Sequence, residues 1–416
     1  MAGRHDVVPG GGAGAPADVA MSRQAKSQWR RAGGGVVIAA ISLAGVLGNA
    51  LVAPALPDIA RALSVDNTGI GLVVAAASLP GVVVAPIIGV AADRVGRRIV
   101  VVPCLVVFGL GGLAAMVAPN FSVLIAARLL QGLGAAGLVN LAVVMIGDRH
   151  EDAVERAAAI GRNGAVLTVG LAVLPVIGGG LVALAGWRAA FAPMALALGV
   201  AVAAARRLPR ERPAAVVSLP DQMRAAAASL ADWRVAAMLT VGFWAFVLVF
   251  GLVLTVLPID LDQRFGAGPL LRGVMLGLPA LASVVVALTM GRLSTRFSTW
   301  DLVLAGFAVF ALAFAGVAGA GSVALVGVTM VVYGVGETLV IVPLQAYAAG
   351  LAPAHRGVMV AVWVSAVRAG QATGPVLAGL CLATLSARGT IALGSAVSVV
   401  MAVAVLALRS TVTLRT

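Results

Sequence analysis

Charged residues are scarce in this sequence. Only 11% of its 416 residues are charged, whereas a soluble domain carries about 25% charged residues. A chain so poor in charge cannot cover a surface that faces water, and its 61% content of apolar residues excludes intrinsic disorder. The apolar runs are unbroken and do not alternate with polar residues, as transmembrane β-strands would. The composition therefore predicts an all-α polytopic membrane protein.

Cysteine and histidine are scarce as well. Both cysteines, Cys104 and Cys381, lie inside apolar runs, so a disulfide framework is not expected. The three histidines fall in the N-terminal tail or in loops, which leaves no histidine relay, haem ligand or zinc site within the membrane. The sequence also lacks the GxxxxGK(S/T) string of a phosphate-binding loop. We therefore expect no cofactor and no metal.

Twelve uncharged stretches are long enough to cross a bilayer, which takes ~20 helical residues. The predicted spans lie near 35–56, 69–92, 99–118, 123–147, 163–186, 188–205, 235–257, 271–291, 302–319, 323–348, 358–384 and 390–408. This pattern predicts a disordered tail over 1–34, a six-helix bundle over 35–205, a hydrophilic central loop over 206–234, a second bundle over 235–408 and a tail over 409–416.

Basic residues are distributed unequally between the two predicted membrane faces. Of the 29 Lys and Arg residues, 22 fall on the face that carries both termini and the central loop, and five fall on the other. The positive-inside rule then predicts cytoplasmic termini and a location in the cell (inner) membrane. The net charge of +13 does not indicate nucleic-acid binding, because the basic residues lie in loops rather than on one face.

The two halves of the chain repeat each other at an offset of 200 to 202 residues. The matched positions are Leu56-Pro57 with Leu257-Pro258, Gly89 with Gly291, Gln131-Gly132-Leu133-Gly134 with Tyr333-Gly334-Val335-Gly336, Arg156 with Arg356, Pro175 with Pro375, and Arg188 with Arg388. A steady offset indicates a parallel internal repeat, the arrangement that places a transport site at the middle of the membrane between two halves.

The turn between the second and third predicted spans carries a motif. It reads Gly89-Val90-Ala91-Ala92-Asp93-Arg94-Val95-Gly96-Arg97-Arg98. The first glycine allows close helix packing, the second permits a tight reversal, and the aspartate can pair with the arginines. An ordinary basic cytoplasmic turn is the plainer alternative. The string nevertheless closely resembles the loop signature of the major facilitator superfamily.

Three further strings resemble motifs of the same superfamily. In the fourth span, the stretch from Arg128 to Ala136 is similar to the RxxQGxgaA motif through Arg128, Gln131, Gly132 and Gly134. In the first span, Leu47-Gly48 followed by Pro54 and Pro57 resembles a pattern of twelve-span drug:proton antiporters. In the fifth, Gly170, Pro175, Gly178 and Gly179 resemble the antiporter motif GxxxGPxxGG, with Leu174 in place of a glycine. Small-residue packing alone is the alternative for the glycines.

The resemblance implies a major facilitator fold of two six-helix bundles, usually monomeric, that moves a small-molecule substrate and protons across the lipid bilayer. It implies that the Gly89–Arg98 turn latches the outward-open state, with Asp93, Arg97 and the acidic partner Asp148 in one charge network. It also implies a part in proton transfer for Arg128, for which a snorkelling arginine is the alternative.

Two charged residues are predicted deep in the membrane. Glu337 lies about 20 Å from one face and Arg368 about 18 Å from the other, at ~1.5 Å per helical residue. Charges at this depth cost several kcal/mol, so each must face protein or water, and we expect them to be partners. Relative movement of the two could switch Glu337 between binding and releasing a proton. A permanent structural ion pair is the alternative.

Several polar and aromatic residues are candidates for the lining of a central cavity. By helical periodicity and by the family's use of spans 1, 4, 7 and 10, they are Asn49, Asn140, Phe243, Phe246, Phe250, Met330 and Tyr333. Aromatic rings of this kind could bind a flat amphipathic substrate, although aromatic stripes also serve in packing.

Taken together, the residues and the resemblance predict proton-coupled efflux of amphipathic small molecules. An uptake symporter or a metabolite exporter of the same superfamily is the alternative, and a symporter for sugars would need a richer set of hydrogen-bonding residues. A membrane enzyme would need clustered catalytic groups at one depth, so we expect no catalytic residues. A non-transporting sensor on the same fold is the remote alternative.

Overall fold

The computed structural model describes residues 34–150, 152–209, 224, 232–351 and 356–413. Nearly all of the predicted tail over 1–34, much of the central loop over 206–234 and the end of the tail over 409–416 lie outside these residues. Within them, all regular structure is helical. The helices form twelve units, named spans 1 to 12 below.

The first six spans make up the N-terminal half. Their helices are Gly34–Ala50, Ala53–Ala55 and Leu56–Ala62 in span 1, Asn67–Ser78 and Pro80–Val95 in span 2, Arg97–Met116 in span 3, Phe121–Ala135 and Leu138–Arg149 in span 4, Ala153–Ala185 in span 5, and Trp187–Ala195 and Leu196–Arg207 in span 6.

The other six spans make up the C-terminal half. Their helices are Trp233–Leu248, Val249–Val256 and Leu257–Phe265 in span 7, Pro269–Gly277 and Pro279–Arg296 in span 8, Thr299–Gly319 in span 9, Val323–Gly350 in span 10, Arg356–Thr384 in span 11, and Ala387–Thr413 in span 12. Among the described residues, eleven units are long and apolar enough to cross a membrane, and the remaining one, span 11, has 29 residues. The prediction of a twelve-helix membrane protein is confirmed.

Successive spans run in opposite directions, which defines two faces of the molecule. The terminal face carries the start of span 1, the end of span 6, the start of span 7 and the end of span 12. The opposite face carries the turns that join spans 1 and 2 and spans 7 and 8. Odd-numbered spans therefore begin on the terminal face, and even-numbered spans begin on the opposite face.

Prolines divide several spans. Span 1 turns around Pro54 and Pro57, span 2 restarts at Pro80, and span 8 restarts at Pro279. Proline has no N–H to donate and its ring clashes with the preceding turn. Such breaks are tolerated in a membrane where neighbouring helices satisfy the freed backbone groups.

Span 7 contains a wide turn just before Pro258. Its segment Val249–Val256 is a π-helix, and the Thr255 hydroxyl donates to the carbonyl of Phe250, five residues back, at 2.8 Å. Wide turns of this type are rare and occur mostly at functional sites. Here the π-helical segment forms part of the wall between the two halves.

Span 5 differs from its predicted bounds. It begins at Ala153, ten residues before the predicted start at 163, and the Asp152 side chain caps it by accepting from the Glu155 backbone N–H at 2.8 Å. The added turns carry exposed Glu155 and Arg156. Hydropathy marks only the part of a helix that lies in the membrane, so a helix that continues into water starts earlier than predicted.

The internal repeat is confirmed by equivalent contacts in the two halves. Arg188 donates to the carbonyl of Ala118 at 2.9 Å, and Arg388 donates to the carbonyl of Ala318 at 2.7 Å. Both members of the pair are shifted by 200 residues. Glycine packing repeats in the same way, because Gly134 lies against the backbone of Phe108 while Gly336 lies against the ring of Phe310.

The two halves approach each other most closely on the side of the opposite face. Gly71 of span 2 packs on the carbonyl of Pro375 in span 11, and Gly273 of span 8 packs on the carbonyl of Pro175 in span 5. These two contacts are equivalent under the repeat, so the halves meet about a pseudo-twofold axis. A side chain at either glycine would collide with backbone, and only glycine permits such an approach.

Candidate substrate cavity

A cavity of about 470 Å³ lies between the two halves. Its wall comes from spans 1, 2, 3, 4, 5, 7, 8, 10 and 11 and is mostly apolar. It reaches from Leu254 and Leu276, on the side of the opposite face, to Gln345 and Trp363, which lie within about two turns of the terminal face. The cavity therefore extends toward the terminal face.

The structure places five of the seven predicted lining residues in this wall. They are Asn49, Asn140, Phe246, Phe250 and Tyr333. Met330 lies outside the wall because it is one turn nearer to the opposite face than Tyr333, and its side chain is fully buried there. Phe243 is also outside it: span 11 covers its carbonyl at Gly370, and its ring packs edge-on against Trp244 at 5.7 Å.

Glu337 lines the cavity as a half-buried carboxyl on span 10. Among the ion pairs of the described residues, none involves Glu337. Tyr333 lies one turn away on the same helix, where its ring stacks on Phe310 at 5.0 Å and its buried hydroxyl has no hydrogen-bond partner among the described residues. A carboxyl and a phenol thus lie close together, and no cation in the described part of the chain forms an ion pair with the carboxyl.

Arg368 lines the same cavity but does not pair with Glu337, contrary to the sequence-based expectation. Its Nη1 donates to Gln371 at 3.2 Å. Its side chain reaches across to the other half, where a Cβ added to Gly81 would lie 3.1 Å from the Arg368 Cδ. Depth in the membrane can be counted along a helix, whereas the direction of a long side chain depends on which neighbour leaves room for it.

Arg128 is fully buried, and its hydrogen-bond acceptors among the described residues are all neutral. Nε donates to the carbonyl of Val73 at 2.8 Å, and Nη1 donates to the carbonyl of Gly48 at 3.0 Å and to Gln131 at 2.5 Å. Nη2 donates to the side-chain oxygen of Asn49. The guanidinium therefore joins spans 1, 2 and 4, and an arginine buried in this way does not snorkel.

The Gly89–Arg98 turn forms its contacts within the N-terminal half. Gly96 has a φ of +96°, which permits the tight reversal between spans 2 and 3. Arg97 forms an ion pair with Asp148 and lies 4.0 Å from Asp93. Arg98 donates to the carbonyl of Leu208 at 3.2 Å. These contacts join the turn to spans 4 and 6 of its own half.

The span 5 motif lies where the two halves touch. Gly178 packs on the backbone of Leu51 in span 1, and Gly179 packs on the backbone of Pro269 in span 8. Gly170 faces the side chain of Leu43. Leu174, which stands where the antiporter motif has glycine, is buried.

Polar wall residues on spans 5, 8, 10 and 11 were not predicted from the sequence. They are Thr168, Ser283, Thr338, Gln345 and Gln371. Each is an uncharged polar residue inside an apolar run, a signal that was available. The prediction considered spans 1, 4, 7 and 10, whereas spans 5, 8 and 11 also reach the cavity. On span 10 it took only the face of Met330, Tyr333 and Glu337, and the cavity also meets Thr338 and Gln345.

Comparison with known proteins gives the family. A model described as the Major Facilitator Superfamily matches residues 38–258 and 239–415. The chain is 30% identical to the bacillibactin exporter of Bacillus subtilis over 149 residues, 34% of this chain and 37% of that protein. It is 35% identical to the puromycin resistance protein of Streptomyces alboniger over 186 residues, 44% of this chain and 36% of that protein. These matches span little more than a third of each relative's length.

Solved structures share the fold. A POT family transporter in complex with 5-aminolevulinic acid superposes with a TM-score of 0.74 at 15% identity, and the match covers 91% of this chain and 96% of that one. Two equivalent six-helix halves, a cavity between them and a family match over nearly the whole chain agree. The chain belongs to the major facilitator superfamily and has its membrane fold.

Proposed function

We propose that this transporter exports amphipathic small molecules in exchange for protons, by alternating between states open to either face. The observation that carries the proposal is the mostly apolar cavity with Glu337 in its wall and no ion-pair partner for it among the described residues. A charge at the centre of a membrane costs several kcal/mol. Such a carboxyl is stabilised by binding a proton or a cationic group, which makes it a candidate coupling site.

The lining supports an amphipathic substrate. Phe246, Phe250 and Trp363 offer aromatic surface to the cavity, and a few amides and hydroxyls offer hydrogen bonds. A volume of about 470 Å³ falls in the range of about 300–1,000 Å³ that is usual for sites of drug-sized ligands.

The direction of transport rests on two observations. Basic residues favour the terminal face as the cytoplasmic one, so the cavity in this structure extends toward the cytoplasm, from which an exporter is loaded. The relatives named above are an exporter and a resistance protein. Export accounts for both observations.

Coupling is proposed to depend on where Arg368 lies. In this state Gln371 binds it and it reaches the N-terminal half at Gly81, away from Glu337. When the halves rock apart on the side of the opposite face, spans 2 and 11 separate and the guanidinium loses its place at Gly81. Its approach to Glu337 would displace a cationic substrate toward that face. A proton taken up from the same face would neutralise Glu337 and let Arg368 return to Gly81, and the next substrate would displace this proton into the cytoplasm.

Proton movement in energised everted membrane vesicles tests this function. Lipophilic cations, weak acids, antibiotics and sugars are added in turn to vesicles that contain the parent protein or Glu337→Gln at equal expression. We expect a member of the amphipathic group to collapse the pH gradient with the parent protein. Glu337→Gln should abolish that collapse, because the amide cannot carry a proton.

Thr329→Val is the matched control. It changes a residue of span 10 outside the cavity wall without altering charge or shape, and the hydroxyl it removes donates within the helix, to the carbonyls of Leu325 at 3.1 Å and Val326 at 2.8 Å. Its proton movement should equal that of the parent. If Glu337→Gln also behaves like the parent, Glu337 is not the coupling site. If no compound moves protons, proton exchange is not the mechanism.

A further inference from the structure

Four charged residues link the two halves on the opposite face, outside the cavity. Asp58 and Arg61 lie at the end of span 1, Asp262 lies near the end of span 7, and Arg272 lies in the first turn of span 8. We refer to these residues as the charge quartet. Across the halves, Arg61 lies 2.7 Å from Asp262 and Arg272 lies 2.6 Å from Asp58.

The quartet lies where the internal repeat meets itself. Arg61 and Asp262 are 201 residues apart and therefore occupy equivalent positions in the two halves, facing each other near the pseudo-twofold axis. Identical charged residues at such a position would repel each other. Here the two repeats carry opposite charges, and the same position becomes an attractive contact.

Burial makes the second cross-half pair the stronger one. The Arg272 side chain is 0% exposed, and its Nε and Nη1 have no hydrogen-bond partner among the described residues. A buried guanidinium depends on its carboxylate, whereas an exposed pair contributes little. Arg61 is 59% exposed, so the Arg61–Asp262 pair contributes less than the Arg272–Asp58 pair.

Each charge in the quartet also has a partner in its own half. Arg61 lies 2.7 Å from Asp58, and Arg272 lies 3.7 Å from Asp262. When the halves separate on this face, each half retains one acid and one base that can pair with each other. Opening therefore breaks two cross-half contacts without leaving an unpaired charge in either half.

We propose that the charge quartet is the gate of the opposite face: its cross-half pairs hold this face closed while the cavity extends toward the terminal face, and re-pairing within each half lets it open. This inference rests on the alternation that the proposed function includes. It requires neither proton coupling nor any particular substrate, so it can be tested separately.

The width of the gate can be measured between spin labels on Ala62→Cys and Gln263→Cys. Both positions are exposed, flank the quartet and are equivalent in the repeat; Cys104 and Cys381 are first replaced by serine. In reconstituted protein, Asp58→Asn should raise the population of the wide-distance state at least several-fold over the parent. Asp301→Asn, which breaks the pair with Arg409 inside the C-terminal half on the terminal face, should leave the distances unchanged.

Charge exchange separates a specific gate from general damage. Arg61→Asp alone should widen the distance distribution, and Arg61→Asp combined with Asp262→Arg should return it toward the parent. Asp262→Asn replaces Asp58→Asn if the latter does not fold. The proposal is overturned if the Asp58 or Asp262 variants match Asp301→Asn, or if the double exchange remains as wide as the single one. Neither readout requires substrate or a proton gradient, so failure of proton coupling would leave the test valid.

Discussion

The charged residues deepest in the membrane have different surroundings in the two halves. In the N-terminal half, Arg128 is enclosed by four neutral acceptors on three spans. In the C-terminal half, Glu337 and Arg368 face the cavity and do not pair with each other. Under the repeat, at an offset of 202, Met330 occupies the position equivalent to Arg128, and Ala135 occupies the position equivalent to Glu337. Packing contacts have been kept in both halves, while the charges have diverged.

This difference indicates a division of work between the halves. A charge with every hydrogen bond satisfied is costly to move and holds its surroundings together. A charge without a partner is free to change its proton or its neighbour when the protein moves. We infer that the N-terminal half supplies a fixed reference and the C-terminal half supplies the coupling groups.

Arg128→Met should have the largest effect on stability. It gives the N-terminal half the residue of the equivalent position and leaves the side chains of Asn49 and Gln131 and two carbonyls without their donor. Unsatisfied buried groups cost about 1–3 kcal/mol each, so we expect a loss of about 3 kcal/mol or more. Thermal unfolding of the purified protein in detergent measures it. A midpoint equal to the parent's would show that the network contributes no stability.

Glu337→Gln should not lower the stability of the protein, in contrast to Arg128→Met. Replacing an unpaired carboxyl by an amide of the same shape removes the cost of a buried charge, so stability should be unchanged or raised by about 1 kcal/mol, although coupling is lost. The same unfolding assay tests this expectation. A marked fall in the midpoint would mean that Glu337 is a structural residue, and the contrast between the halves would no longer hold.

Asn49→Asp tests whether the N-terminal half can be given a coupling group. Arg128 would gain a carboxylate partner, and the attraction would roughly offset the desolvation of the new charge, so stability should change by less than about 1 kcal/mol. Asn49→Asp combined with Glu337→Gln should not restore proton movement in everted vesicles, because Arg128 is fixed and stays beside the new carboxylate. Restored movement would show that the position of the carboxyl is unimportant.

Gly81→Ala should have the smallest effect. The added methyl displaces the Arg368 side chain by a few tenths of an ångström, which costs less than the ~1–3 kcal/mol of overpacking a rigid core. We expect weaker substrate-dependent proton movement with unchanged stability. Gly199→Ala, at a glycine with open space around it, is the control. Equal proton movement in the two variants would exclude Gly81 as a determinant of coupling.

The fold could be predicted from the sequence because lipid requires long apolar runs and the repeat leaves a constant offset. The start of span 5 could not, because its first turns lie in water. Helical periodicity placed Met330 on the same face as Tyr333 but could not show that the cavity closes between them.

The contacts of the charges were harder to predict than their depth. Glu337 and Arg368 were correctly placed on consecutive helices, yet Arg368 reaches toward Gly81 because a missing side chain leaves room there. The charge quartet joins helix ends whose residues are 201 to 214 positions apart in the chain. Applying the repeat offset to Arg61 would have pointed to Asp262, the one signal that the sequence held for this contact.

The π-helical segment of span 7 connects the cavity wall to the gate. Phe246 lies before Val249–Val256 and Asp262 lies after it, on one continuous helical unit. Deleting one residue from this segment would restore a regular helix and rotate everything beyond it by about 100°, which would turn Asp262 away from Arg61. The π-helical segment therefore determines how Asp262 is rotated about the axis of span 7 relative to the cavity-lining residues of the same span.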